Sequence, residues 1–344
     1  MTLRAVVIRE HGGPEVLQFE ERPVVEPGPR EVRVRVRAVG LNHLDLWVRN
    51  GVSGHSFPLP IVPGCDVAGV VDALGPGALG VAVGDEVVVA PGVSCGRCQA
   101  CRAGEDALCR SYGILGESRD GGCQEYLIVP DVGLFPKPQG LDWTQAAAVP
   151  LTFLTAWHML KARACVQPGE QVLVHAAGSG VSAAAIQIAT LLGARVLTTA
   201  GTDEKCARGL ALGAEEAVNY RVADFAREVR RWTGGRGVDV VVDHVGADTF
   251  ERSLRCLVKG GRYVTCGATS GFDLKTDFRL VFFKSLSILG STMGGGHELA
   301  TVLSFVASGR LRPIVDRVFP LEQIADAHRR LAAREAFGKV VLTV

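Results

Sequence analysis

Residues 31–39 (EVRVRVRAV) alternate charged and apolar side chains with a period of two, the pattern of an antiparallel strand with one face in water. Shorter β-like runs at 67–71, 86–90 and 125–129 are separated by Gly/Pro turns such as PGPR and LGPGALG. The chain up to about residue 130 is therefore expected to be mostly β, with irregular connections.

From about residue 151 the texture changes. VLVHAAG, the Ala/Ile-rich SAAAIQIATLLGA, RVLTTAG, a polar helix and VDVVVDHVG set apolar β-branched runs in alternation with helical patterns. That alternation predicts a parallel sheet covered by helices on both faces. It continues through GGRYVTCGA and SLSILGSTM; beyond FVASGRLRP a strand-like KVVLTV is expected to return to the first domain. The predicted division is a mainly β domain of residues 1–150 and 305–344 and a doubly wound α/β domain of residues 151–304, without internal repeats.

Composition narrows the function classes. At 344 residues the chain has about twice the usual domain length, in keeping with two cores. Lys+Arg of 37 against Asp+Glu of 36 leaves a formal net charge of +1, so no global field favours nucleic acid or an anionic membrane, and a small molecule is the expected partner. Residues 1–30 carry charges and prolines throughout, and no apolar run reaches the ~18 residues needed to cross a bilayer. A cytoplasmic protein is expected.

Cys95, Cys98, Cys101 and Cys109 stand as C-x2-C-x2-C-x7-C on a Gly-containing loop. Four thiolates at this spacing can close around a tetrahedral zinc and leave no position for substrate, so the site is expected to be structural. Arg97, Arg102 and Arg110 lie beside the ligands and offset the negative charge of the filled shell. An iron-sulfur cluster uses the same donors and is the competing reading. The other six cysteines are scattered and read by default as small buried hydrophobes, with Cys65 alone carrying a sharper reading.

After the strand QVLVH, the turn Ala176-Ala177-Gly178-Ser179-Gly180-Val181-Ser182 opens directly into a helix. Small residues there let backbone amides approach a pyrophosphate, and the helix N-terminus supplies partial positive charge. The next strand ends on Ala200-Gly201-Thr202, without the acidic residue that grips the 2′-hydroxyl of NAD. Thr202, Lys205 and Arg221 are placed to receive a 2′-phosphate, which favours NADP and leaves NAD open.

With these residues in view, the chain resembles the medium-chain dehydrogenase/reductase superfamily along its whole length, through AVGLNHLDLWVRNG, PIVPGCDVAGVV, GDEVVV, the cysteine lobe, AAVPLTFLTAWHML, HAAGSGVSAAAIQIA and GRLRPIVDRVFPLEQIADAH. It looks most similar to quinone-oxidoreductase-like members that keep the structural zinc lobe. The resemblance implies a GroES-like catalytic domain, a Rossmann domain, and a homodimer or homotetramer joined through the sheet edge at SLSILGST. It also implies cofactor contacts from Tyr220, Val245, Gly246, Gly267, Ala268 and Lys339.

The departures from the zinc enzymes bear on the chemistry. Asn42 stands where their first cysteine ligand would be, Cys65-Asp66 where a His-Glu pair would be, and Leu151 near a third ligand position. His43 is a candidate third ligand, but a catalytic zinc normally needs three protein ligands and is not expected here. Asn42 and Asp45 fit instead the N-x-x-D pattern of zinc-free reductases, beside nicotinamide and substrate, with Trp47 where a tyrosine is frequent. On that pattern Asn42 would polarise or orient the substrate, His43 and Asp45 would shape the site, and Thr155 would position the nicotinamide, while Trp47, Phe57 and Phe283 suggest an apolar wall. Hydride transfer to an enone or quinone is the leading expectation. A zinc alcohol/carbonyl dehydrogenase and a nicotinamide-binding protein without turnover are the alternatives.

Overall fold

The computed structural model describes residues 2–344. Two compact units are present: Met1–Leu151 with Gly295–Val344, and Thr152–Gly294. The first half of the chain supplies β1 (Thr2–Ile8), β2 (Leu17–Pro23), β3 (Glu31–Gly40), α1 (His43–Asn50), β4 (Asp66–Leu74) and β5 (Glu86–Val89). β6 (Gly92–Val93), α2 (Gln99–Arg102) and β7 (Gly113–Ile114) frame the cysteine lobe. β8 (Tyr126–Pro130), β9 (Leu134–Pro136), α3 (Trp143–Ala147) and α4 (Pro150–Trp157) follow.

The second unit contains β10 (Gln171–Val174), α5 (Gly180–Leu191), β11 (Arg195–Ala200), α6 (Asp203–Ala211), β12 (Glu216–Asn219), α7 (Phe225–Trp232), β13 (Val238–Asp243), α8 (Phe250–Cys256), β14 (Leu257–Thr265), α9 (Phe278–Phe283) and β15 (Ser287–Gly290). Its sheet is parallel throughout, in the order β12-β11-β10-β13-β14-β15. That is the doubly wound order, in which the direction of winding reverses beside the first strand. β13 is buried at every position, as a strand covered on both faces must be. Leu173, Leu197, Val241, Phe225, Phe250 and Tyr263 belong to one core cluster of this unit.

The chain then returns to the first unit through α10 (Gly296–Ala307), β16 (Val315–Pro320), α11 (Ile324–Ala332) and β17 (Lys339–Thr343). The large sheet runs β16-β17-β3-β4-β5-β9, with β8 also paired to β3. The predicted alternation of β3 is realised: Val32, Val34 and Val36 are buried, and Arg33 reaches across to Asp72 of β4 at 2.6 Å. KVVLTV becomes β17, antiparallel to β3, so the tail does close the first unit.

The boundary lies at 294/295, ten residues before the predicted 304/305, because α10 packs with the first unit. Its opening amide at Gly296 is held by Asp106 of the cysteine lobe. Phe283 lies on an exposed face of α9 with Phe278 and Phe282, and Phe57 is buried against the rings of His11 and His55. Among the described residues no helix is long and apolar enough to cross a membrane.

Candidate functional site

In the first unit, three strands bring a polar cluster to the end of β3. Gly40 pairs with Asp66 of β4 and with Val341 of β17, and a Cβ at Gly40 would come within 2.3 Å of the Ala147 carbonyl and 3.0 Å of the Lys339 stem. Asn42 follows as N-cap of α1, in a capping box with Asp45. The Asp45 carboxylate accepts from the backbone N–H of Asn42 at 2.7 Å and of Gly64 at 2.9 Å. Burial pushes its pKa up to about 6, against the pull of those donors and of Lys339.

The Asn42 amide is turned inward. Its Oδ1 accepts from Lys339 Nζ at 2.6 Å, and its Nδ2 lies 2.9 Å from Asp66 Oδ2 and 3.2 Å from both Cys65 Sγ and the Gly40 carbonyl. Asp66 Oδ2 also accepts from Lys339 Nζ at 2.7 Å, and Asp66 Oδ1 accepts from the Leu151 N–H at 2.7 Å. Cys65 and Asp66 are fully buried, and burial together with Asp66 and Asp45 pushes the Cys65 thiol well up. Lys339, which the resemblance assigns to the cofactor, is an internal member of this cluster, 3% exposed.

Cys65, Asp66 and His43 do not fit a catalytic zinc. Among the described residues these three do not gather at metal-sharing separation, and both Asp66 oxygens are already engaged by N–H donors. The described residues hold one group of three or more His, Cys, Asp or Glu at metal-sharing separation, the four lobe cysteines. Their sulfurs all lie within 4.8 Å of one another, and Cys98 and Cys95 stand 3.4 and 3.8 Å from Cys101. A tetrahedron with Zn–S bonds of ~2.3 Å has S···S edges of roughly 3.8 Å, so the lobe fits zinc.

In the second unit the Gly-rich turn is built as a cradle. Ala176 takes a left-handed conformation (φ 56°), its N–H donates to Thr199 Oγ1 at 3.1 Å, and the Ala177 N–H donates to the Thr199 carbonyl at 2.8 Å. Ser179 is the N-cap of the twelve-residue α5 but makes no side-chain capping bond, which leaves its first turn open to an anion. Ser182 Oγ donates to the His175 carbonyl at 2.6 Å and lies 3.0 Å from His244 Nε2. These residues fit a dinucleotide pyrophosphate.

At the end of β11, a Cβ on Gly201 would lie 2.7 Å from the Tyr220 hydroxyl and 3.5 Å from Arg221 Nε. Thr202 is spent as N-cap of α6, accepting from the Lys205 N–H at 3.2 Å. Val245 and Gly246 meet Ala268: the Val245 carbonyl accepts from the Ser270 N–H at 2.7 Å, and Ala268 Cα is 3.0 Å from a Cβ built at Gly246. Thr155 is buried, with Oγ1 3.9 Å from Met293 Sδ.

Sequence reasoning missed the support beneath this cradle. His175 is buried, with Nδ1 3.1 Å from Thr199 Oγ1 and Nε2 2.8 Å from Ser253 Oγ, and burial pushes its pKa down to about 4. Asp243 accepts from the Val245 N–H at 2.6 Å, Thr249 Oγ1 at 2.6 Å and Tyr263 OH at 2.8 Å. The available signal was a polar residue closing each apolar strand, His175 after β10 and Asp243 at the end of β13.

Known proteins resemble this chain along nearly its whole length. The family described as "Alcohol dehydrogenase GroES-like domain" matches residues 28–139, and the one described as "Zinc-binding dehydrogenase" matches residues 212–342. The chain is 31% identical to the quinone oxidoreductase of Homo sapiens over 99% of its own length and 97% of that protein's. It is 33% identical to a 2-haloacrylate reductase of Burkholderia sp, with 98% of each covered. A solved structure titled as an NAD-dependent alcohol dehydrogenase is 56% identical, with a TM-score of 0.96 and 99% of each chain covered.

Proposed function

From the premise that this chain belongs to the medium-chain dehydrogenase/reductase superfamily and is an oxidoreductase of that kind, we propose that it transfers hydride between a nicotinamide dinucleotide and an activated double bond or quinone, without a catalytic metal. The observation that carries this reading is the closed cluster of Asn42, Cys65, Asp66 and Lys339, in which side-chain hydrogen bonds occupy the groups a zinc would need. A relative that acts on 2-haloacrylate, an alkene activated by a carboxyl group, favours the same class of acceptor.

The nicotinamide supplies the hydride, and the protein binds, orients and excludes water. The α5 N-terminus with Ala177, Gly178, Ser179, Gly180, Val181 and Ser182 would hold the pyrophosphate. His175, Thr199 and Asp243 keep that turn and the Val245–Gly246 loop in place. Tyr220 and Arg221 over Gly201 would receive a 2′-phosphate, so NADP(H) is the preferred cofactor. Asn42 and Asp45 fix the start of α1 rather than polarise substrate. The lobe cysteines would hold one structural zinc.

The same reading makes the protein a homodimer or homotetramer joined at β15. That strand is a sheet edge whose Ile288 is exposed, and α9 before it exposes Phe278, Phe282 and Phe283.

A second reading, a zinc-dependent alcohol dehydrogenase, draws support from the 56% identical structure. One experiment separates the two: NADPH and NADH oxidation with 2-cyclohexenone and a benzoquinone, and NAD(P)+ reduction with alcohols, on samples whose zinc is counted. Enone or quinone turnover at one zinc per chain supports the proposal. Alcohol turnover that requires a second zinc overturns it.

A further inference from the structure

The resemblance assigns Lys339 to the cofactor and Asn42 to the substrate, and the geometry points both elsewhere. An ammonium group has three hydrogens and no lone pair, so the Asn42 atom that faces it at 2.6 Å must be the carbonyl oxygen. That settles the amide's orientation. Its NH2 group then faces Asp66, Cys65 and the Gly40 carbonyl, and none of its polar atoms is left to point outward. Asn42 is 6% exposed, in keeping with this.

We propose that Lys339 is the positioning residue of this cluster: by orienting the Asn42 amide and pairing with Asp66, it fixes the start of α1, and it makes no contact with the cofactor. The proposal rests on the metal-free reading above. Three strands converge to make it possible. Lys339 opens β17, Asp66 opens β4, and Gly40 ends β3 without a side chain, which leaves room for the lysine stem. The Leu151 N–H fixes the other Asp66 oxygen, so the carboxylate cannot swing away from the ammonium without losing that bond.

The Lys339–Asp66 pair is almost wholly removed from water, with side chains 4% and 0% exposed. Taking the ammonium away leaves a buried carboxylate uncompensated and an amide free to turn over. Because Asn42 is both the amide held by Lys339 and the N-cap whose N–H holds Asp45, that disturbance passes directly into the first turn of α1, where His43 lies.

The test uses the zinc-loaded protein with NADPH and 2-cyclohexenone, and the variants Lys339→Met, Lys339→Arg, Asn42→Ala and Lys339→Met with Asn42→Ala. Lys339→Met is expected to lower kcat by about tenfold or more, with the NADPH Kd, read by fluorescence titration, within about threefold. Asn42→Ala should give a similar loss, the double variant no further loss, and Lys339→Arg partial recovery.

A rise of the NADPH Kd of about tenfold or more in Lys339→Met would make the lysine a cofactor ligand and overturn the proposal. Additive losses in the double variant would overturn it too. Asn42→Ala leaves the ion pair in place, so it decides the matter even if Lys339→Met does not fold: an unchanged kcat sinks the idea. If the unsubstituted protein reduces neither enone nor quinone, the metal-free reading itself fails, while the Kd comparison still decides whether Lys339 touches the cofactor.

Discussion

The carboxylate of Asp106, which stands between the third and fourth lobe cysteines, accepts a hydrogen bond from the backbone N–H of Gly296 at 2.9 Å. Its other oxygen lies 3.3 Å from Ser94 Oγ, so the lobe and the first turn of α10 are tied by one side chain. A carboxylate at a helix N-terminus satisfies an otherwise unpaired amide and opposes the helix dipole favourably. Asp106→Ala should therefore cost about 1 kcal/mol, the usual worth of a cap. Thermal unfolding should shift down by about 2–4 °C with zinc content unchanged. An unaltered melting curve would show that the contact contributes nothing.

Cys98→Ser and Cys101→Ser should each release the lobe's zinc, because a shell of four thiolates loses its closure with any one of them. Elemental analysis reads the metal directly. Hydrogen exchange should speed up at the amides of Gly295, Gly296 and Glu298, which are downstream of Asp106, and remain unchanged at β10 and β13. Full zinc retention in both variants would dismiss the lobe as a metal site.

What the sequence made legible was whatever repeats or clusters locally. The two-residue period of β3, the alternating texture of the α/β unit and the cysteine spacing are each contained within a few turns of chain, and each reappears in the fold. The polar cluster was only half legible. Asn42, Asp45, Cys65 and Asp66 are visible as motif positions, but the orientation of the Asn42 amide is set by a lysine 297 residues away. No local period carries that information. His328 and Arg49, 279 residues apart, are a second such pair. The misplaced boundary has the same origin, since α10 reads as one more helix of the α/β texture until Asp106 is seen to hold it.

Gly201→Asp should convert cofactor preference away from NADPH. A Cβ there would meet the Tyr220 hydroxyl at 2.7 Å, and the new carboxylate would stand by Arg221 and compete for it while repelling a 2′-phosphate. NADPH binding should weaken by about tenfold or more, which is about 1.4 kcal/mol or more, and NADH binding should change less. Titration of both cofactors against the parent and the variant is the measurement. If the parent already prefers NADH, Arg221 does not set the choice.

Acid stability should depend on His328. The ring is buried, with Nδ1 3.2 Å from Arg49 Nη1, and burial, aided by the Arg49 charge, pushes its pKa from 6.5 down to about 3. The unfolded chain therefore binds a proton below about pH 6.5 that the folded chain refuses until about pH 3, and stability is lost as pH falls through that window. His175, pushed down to about 4, acts in the same direction. Asp45 acts oppositely: its folded pKa of about 6 lies above 3.8, so its stabilising contribution is present at low pH and lost as pH rises between the two. His328→Gln, whose amide oxygen can still accept from Arg49, removes one of the two histidine terms. Denaturant titrations at pH 4.5 and 5.5 should show a pH slope shallower than the parent's by about 1.4 kcal/mol per pH unit. Equal slopes would mean that His328 titrates normally in the folded chain.

Cys65 offers the sharpest separation of the two catalytic readings. On the metal-free reading its thiol is fully buried, pushed well up by that burial, and lies 3.2 Å from the Asn42 amide. Cys65→Ala then removes one weak acceptor and a sulfur's worth of packing, while Asp66 keeps Lys339 and the Leu151 N–H. The expected loss in kcat/KM for enone reduction is about tenfold or less, corresponding to about 1.4 kcal/mol of barrier, with zinc steady at one per chain. If Cys65 instead held a Lewis-acid zinc, its removal would take away one of at most three ligands, and with it several kcal/mol of transition-state stabilisation, about a thousandfold or more in rate. The metal count would fall from two to one in the same samples. Measuring both quantities matters because a structural collapse would lower the rate without changing the count, and far-UV circular dichroism identifies that case. A thousandfold loss accompanied by a lost zinc, in a folded variant, would replace the metal-free mechanism with the alcohol dehydrogenase reading.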